Sequence, residues 1–222
     1  RLDRVTPSPA VFDMEKLYWL NRHYIKASRV DQIADLAAPF FVKAGLIAEE
    51  IDGALASTAT AADIEAERHH ERAWFRNVVE LLAPSVDRLD QLPERAALLF
   101  HYNAQAALAA PENAEVFAWA KTHAVISAFA ECVLAEPEGG LTAERFKAIM
   151  NQLKAETGAK GKELFHPVRI VVTGAHSGPE FDKLIPIIEA GSKLALPVRV
   201  KSVRQRVQEF LHHRGAGERS SG

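Results

Sequence analysis

The chain has 222 residues, with 27 Lys and Arg against 29 Asp and Glu, one cysteine, and 48% hydrophobic residues. That length and apolar content support one large domain or two of about 100 residues each, and they exclude wholesale disorder. The lone Cys132 excludes an intrachain disulfide and any multi-cysteine metal site, no apolar run approaches the roughly 18 residues of a membrane span, and a net charge of -2 gives no global pull toward nucleic acid.

Helical periodicity dominates in chain order. Ile33, Leu36, Ala37, Phe40 and Phe41 form one stripe, closed by Gly45, with Pro39 as a possible kink. Leu55 to Ala62, rich in Ala, Ser and Thr, reads as a loop. Trp74, Val78, Leu81 and Leu82 mark the next helix, which Pro84 ends. Residues 109–113 read as a joint between two helical sets, and Glu112 to Leu134 as one long helix opened by Pro111. After a turn at 136–140, Thr142 is placed as an N-cap, Phe146, Ile149, Met150 and Leu153 follow at i, i+3, i+4 and i+7, and Gly158 supplies a left-handed stop.

The β-branched run Val168 to Thr173 suits a short strand by composition. A lone strand has nothing to pair with, however, and Pro167 and Gly174 suit the first and terminating positions of a helix, so helix is the preferred reading. Val200, Val203, Val207, Phe210 and Leu211 make the last stripe, and residues 215–222 read as a disordered Gly/Ser-rich tail. No pair of alternating runs is joined by Asn-Gly or Asp-Gly, so hairpins are unsupported and the fold class is all-α.

Charge is polarised although it nearly cancels. Seven acids lie between Glu49 and Glu71 against Arg68, whereas Lys193 to Arg214 holds six bases and one acid, Glu209. Such a basic end suits a polyanion, and it equally suits a solvated helix face. Signals for catalysis are absent. Residues 173–178 lack the Gly-Lys-Ser/Thr ending of a phosphate loop, His176-Ser177 has no nucleophile elbow, and the pairs His69-His70 and His212-His213 lack metal-ligand spacing. Cys132 reads as a small core residue, and neither catalytic nor metal-binding residues are expected.

Two segments carry a resemblance. Ser8-Pro9-Ala10-Val11-Phe12-Asp13 with Lys16-Leu17-Tyr18-Trp19-Leu20-Asn21 and Tyr24-Ile25 resembles the stretch after the catalytic domain of bacterial glutamyl-tRNA synthetases. His166-Pro167-Val168-Arg169 to Gly174, with Gly178-Pro179-Glu180, is similar to that family's Pro-Leu-Arg…Thr-Gly…Gly-Pro segment. Lys147 to Lys162 fits what precedes it. The family's His-Ile-Gly-His and Lys-Met-Ser-Lys-Ser motifs, which hold ATP chemistry, do not occur. The resemblance therefore implies an excised half of a glutamate–tRNA ligase that binds tRNA and lacks the catalytic site. An opening residue other than methionine, Arg1, fits that expectation.

By that resemblance the chain comprises a connector at 1–30, a first helical anticodon-binding subdomain at 31–110, a second at 111–214, and the tail, in a helical-cage arrangement. Trp19 and Tyr24 are expected in the core of the connector helix. Arg169, Thr173, Ser177, Gly178, Pro179 and Phe181 are implied to hold the anticodon. Ser85 occupies the place where some members carry a discriminating arginine, and a serine offers no bidentate fork. Lys201, Arg204 and Arg206 are expected at phosphates. The implied partners are tRNA(Glu) and the protein's own N-terminal catalytic domain. No cofactor is implied in this part, with ATP and Mg²⁺ belonging to the parent enzyme. A cytoplasmic monomer without membrane association is expected. The alternative is a helical protein-interaction module of a synthetase-like paralogue that does not bind tRNA.

Overall fold

A computed structural model describes residues 13–48, 60–137 and 140–220. Among them every regular element is a helix. The order is α1 (Met14–Ala27), α2 (Val30–Lys43), α3 (Ala61–Leu82), α4 (Leu92–Arg95), α5 (Ala97–Phe100), α6 (Ala104–Ala109), α7 (Pro111–Ala118), α8 (Thr122–Ala135), α9 (Ala143–Thr157), α10 (Lys162–Thr173), α11 (Phe181–Gly191) and α12 (Val203–Ser220). The all-α expectation holds. Ser8 to Phe12 and most of the loop from Leu55 lie outside the described residues.

Local chemistry sets several helix ends. Asp13 accepts from the Lys16 amide at 3.0 Å. Thr60 and Asp63 form a reciprocal capping box. Thr142 accepts from the Arg145 amide, and Gly158 ends α9 in the left-handed region at φ 63°. Helix α10 spans the β-branched run, as preferred, and Gly174 closes it at φ 87°. Pro167, however, lies inside α10 rather than at its first position. Leu164, Val168, Ile170, Val171 and Val172 are all buried. Burial on nearly every side outweighs the modest helix penalty of branched residues and the one hydrogen bond that Pro167 removes.

Four other expectations change. The long helix of 112–134 is two helices, because Trp119 turns extended at ψ 139° and the Thr122 hydroxyl donates to the Val116 carbonyl at 2.5 Å. The tail is helical through Ser220. Trp19 and Tyr24 are exposed, at 60% and 61%, so they are not core residues. Helix α1 rests on the turn after α3 and buries only Ile25. Its register is set by polar ties, since Asn21 donates to the Asp87 carbonyl at 2.9 Å and Arg22 pairs with the Asp87 carboxylate. The α2 stripe is likewise half right: Ile33, Ala37 and Phe41 are buried, whereas Leu36 and Phe40 face solvent.

Packing links both halves. Helix α3 lies against α2 on one side and α11 on the other. The buried Trp74 indole donates to the Ile187 carbonyl at 2.8 Å, and a side chain on Gly191 would fall 2.8 Å from the same ring. Glycine there permits the approach of two helices. Helix α8 packs between α9 and α10, α11 lies on α9, and α12 lies across α6, α8 and α10. The apolar core runs without a break across residue 110.

Candidate nucleic-acid interface

The elbow between α10 and α11 holds most of the expected site. Residues 174–180 make the turn, fixed by the buried side chain of Asn113, which donates to the Ala107 carbonyl at 2.9 Å and to the Gly174 carbonyl at 2.8 Å. The Asn113 oxygen in turn faces His176 Nδ1 at 3.4 Å. Sequence reading named Asn113 only as part of a joint, because nothing local reveals that it braces a loop 61 positions away.

Arg169 is half-buried at this elbow. Its guanidinium lies 4.1 Å from the Phe181 ring centroid and donates to the Pro179 carbonyl. Burial pushes its pKa below the usual value without a carboxylate nearby to restore it. The result is a cation held over an aromatic face on a partly exposed side chain. Phe181 is itself seated against Phe146 at 4.8 Å, and Phe165 stands beside it at 6.5 Å with ring planes 30° apart. Phe165 was not foreseen, yet its signal was present: it is four residues before Arg169 on one helix.

The other predicted residues divide. Ser177 and Gly178 are exposed on the turn, and Pro179, whose carbonyl accepts from Arg169, is half-buried. Thr173 is buried and its hydroxyl donates to the Arg169 carbonyl at 2.8 Å, so it shapes the end of α10 instead of offering a free donor. His176 packs against His166 at 5.4 Å, which stacks on Trp119 at 5.7 Å. Burial, with the neighbouring His176, pushes the His166 pKa down, so the imidazole stays neutral near pH 7. Ser85 lies apart from the elbow, on the turn against α1, and its hydroxyl donates to the Leu82 carbonyl at 2.7 Å.

The expected phosphate contacts serve the fold. Arg206 is 0% exposed. It donates to the carbonyls of Lys201 (2.9 Å), Leu98 (2.8 Å), Leu99 (2.8 Å) and Val172 (2.6 Å). Those of Leu98, Leu99 and Val172 belong to the last turns of α5 and α10, where helices leave acceptors unpaired. The expectation that Arg206 meets a phosphate is therefore overturned. Burial lowers its pKa to about 10, which leaves it charged at neutral pH. Arg204 donates to the carbonyls of Leu134 and Glu136 at the end of α8. Lys201 pairs with Glu209, whose other oxygen accepts from the Ala104 amide at the start of α6.

The model of the family described as the anticodon binding domain matches residues 32–192, from α2 through α11. The chain belongs to that family. This anticodon-binding domain is 34% identical over 194 residues to a glutamate–tRNA ligase of Desulforamulus reducens, covering 87% of this chain and 36% of the relative. It is 31% identical over 206 residues to that of Bacillus subtilis, covering 91% and 37%. A solved glutamate tRNA ligase from Elizabethkingia meningosepticum, in complex with its amino acid, shares the fold at a TM-score of 0.59 and 14% identity, over 96% of this chain and 35% of that one. The chain thus spans about a third of the length of the relatives it matches. Among its described residues no helix is long and apolar enough to cross a membrane.

Proposed function

We propose that this chain is the tRNA-holding part of a cytoplasmic glutamate–tRNA ligase, and that the α10–α11 elbow grips the anticodon loop of tRNA(Glu). The carrying observation is Arg169, stacked on Phe181 at a surface turn within the matched family region. A planar guanidinium with free donors can read a base edge or hold a phosphate, and neighbouring aromatic faces suit unpaired bases. The exposed Ser177 and Gly178 let an RNA backbone come close. Ser85 lacks the fork needed for bidentate reading, so the parent enzyme would discriminate weakly at that position. ATP and Mg²⁺ would be handled by a part bearing the His-Ile-Gly-His and Lys-Met-Ser-Lys-Ser motifs, which this sequence does not contain. The chain alone would therefore bind RNA without activating glutamate, as a monomer joined to its catalytic domain.

The exposed Leu17, Leu20 and Tyr24 of α1 suit a protein surface, and they fit that joined catalytic domain as well as they fit a module that meets only proteins. Titration against tRNA(Glu) at several salt concentrations separates these readings. Binding that weakens steeply with salt is expected, and no binding, or binding without a salt slope, would sink the RNA reading.

A further inference from the structure

A second surface adjoins the Arg169 platform. Between the later turns of α9 and the start of α10 lies a cleft of about 190 Å³, with buried Met150 and Leu164 beneath and Lys154, Lys160 and Phe165 at its rim. Phe165 is 42% exposed, which is high for a phenylalanine on a helix that otherwise buries its apolar residues. Its ring centroid lies 6.5 Å from that of Phe181, the ring that the Arg169 guanidinium also covers. The side chains of Lys154 and Lys160 are exposed and have neither a hydrogen bond nor an ion pair among the described residues. The nearby carboxylates are turned elsewhere: Glu156 accepts from Gln152, and Glu163 faces Lys121 at 3.5 Å. Gly161, at φ 54°, makes the turn that sets Lys160 beside the start of α10.

We infer that this cleft takes one nucleotide of single-stranded RNA, its base stacked on Phe165 and its phosphate between Lys154 and Lys160. The inference rests on the tRNA-binding reading above and extends the grip beyond Arg169. A flat apolar face rimmed by unpaired cations matches a base with its phosphate, because stacking tolerates any base and the lysines supply charge at phosphate reach. An acidic protein segment would use the lysines but has no need of a flat ring.

The test is binding of the whole chain to a tRNA(Glu) transcript across salt concentrations, with Arg169→Ala as reference. Phe165→Ala should weaken binding about five- to 150-fold, the range for loss of one base stack, whereas Phe165→Trp should hold it. The Lys154→Ala/Lys160→Ala double variant should lower the salt slope by about 0.7, one single-strand phosphate contact. Because all three side chains are exposed, thermal melts of the variants should match the parent chain. Arg169→Ala weakening binding while Phe165→Ala and the double variant leave it unchanged would overturn the cleft and leave the anticodon reading standing. Loss in the lysine variant alone would overturn the base platform. Absence of binding by the parent chain would overturn both.

Discussion

Arg206 of α12 and Arg169 of α10 make an instructive pair. Both sit on basic, helical, apolar-striped sequence, and composition offers the same role to each. Arg206 is enclosed and donates to four backbone carbonyls gathered from α5, α10 and the residues before α12. Arg169 makes one carbonyl contact and lies on an aromatic ring at the rim of a turn. What separates them is the supply of unpaired acceptors. Where helix ends converge in the interior, a guanidinium is the side chain whose fork satisfies several carbonyls at once; where they do not, it keeps donors for a ligand. A run of bases in a sequence therefore marks an RNA face only after the carbonyls have been counted.

Arg206→Ala is the largest way to test that contrast. It leaves buried carbonyls unpaired and an empty volume against Tyr102, so a loss of about 3–5 kcal/mol in chemical denaturation is expected. Arg206→Lys should recover little, because three donors on one nitrogen cannot span acceptors on separate helices. A folded, fully stable Arg206→Ala variant with weakened tRNA binding would reverse the assignment. Arg169→Ala should do the opposite. Its stability cost should stay below about 1 kcal/mol, while tRNA(Glu) binding falls by about 1–3 kcal/mol with blunted discrimination between anticodons. Equal affinity for parent and variant would remove Arg169 from the interface.

Much of this fold was legible because its signals are local. Thr142, Gly158 and Gly174 act on backbone groups within a few residues, and the α9 stripe is buried as its spacing demands. The same locality explains the failures. The break at Trp119 depends on the Thr122 hydroxyl reaching back to Val116, which no periodicity encodes. Arg206 depends on acceptors up to 108 positions away. The elbow was legible through motif likeness, but its physical content, the Arg169–Phe181 stack braced by Asn113, comes only from the packing of α7 on α10.

A buried carboxylate near the start of α12 sharpens the contrast from the acidic side. Glu189 is nearly enclosed and accepts from the Val203 amide at 3.0 Å, capping that helix, and burial raises its pKa above the ordinary glutamate value. A raised folded-state pKa means that the folded chain binds this proton more tightly than the unfolded chain. The stabilisation from that proton is complete below the unfolded value, near 4.5, and is lost as pH rises through the folded one. Glu189→Gln keeps an acceptor and carries no charge. Its stability relative to the parent chain should therefore climb from pH 4 to pH 7. Denaturation curves that differ by the same amount at both pH values would mean that Glu189 does not titrate with folding.

Trp19 provides the smallest expected effect and the cleanest control on what burial means here. Its neighbour in kind, Trp74, is 3% exposed, donates to Ile187 and joins α3 to α11, whereas Trp19 is 60% exposed and stacks on His23 of its own helix at 5.9 Å. Apolar neighbours in sequence place Trp19 in the core, as they place Trp74 on an apolar helix stripe. In α1, however, the contact with the rest of the molecule is made by Tyr18, Asn21, Arg22 and Ile25, and Trp19 is left exposed. Trp19→Ala should leave the free energy of denaturation within about 0.5 kcal/mol of the parent chain, as surface substitutions do. A loss of 2 kcal/mol or more would place Trp19 against the core after all. The value near zero would show that α1 is held to this chain by its polar ties to Asp87, the Tyr18–Arg88 contact and one isoleucine, without help from Trp19.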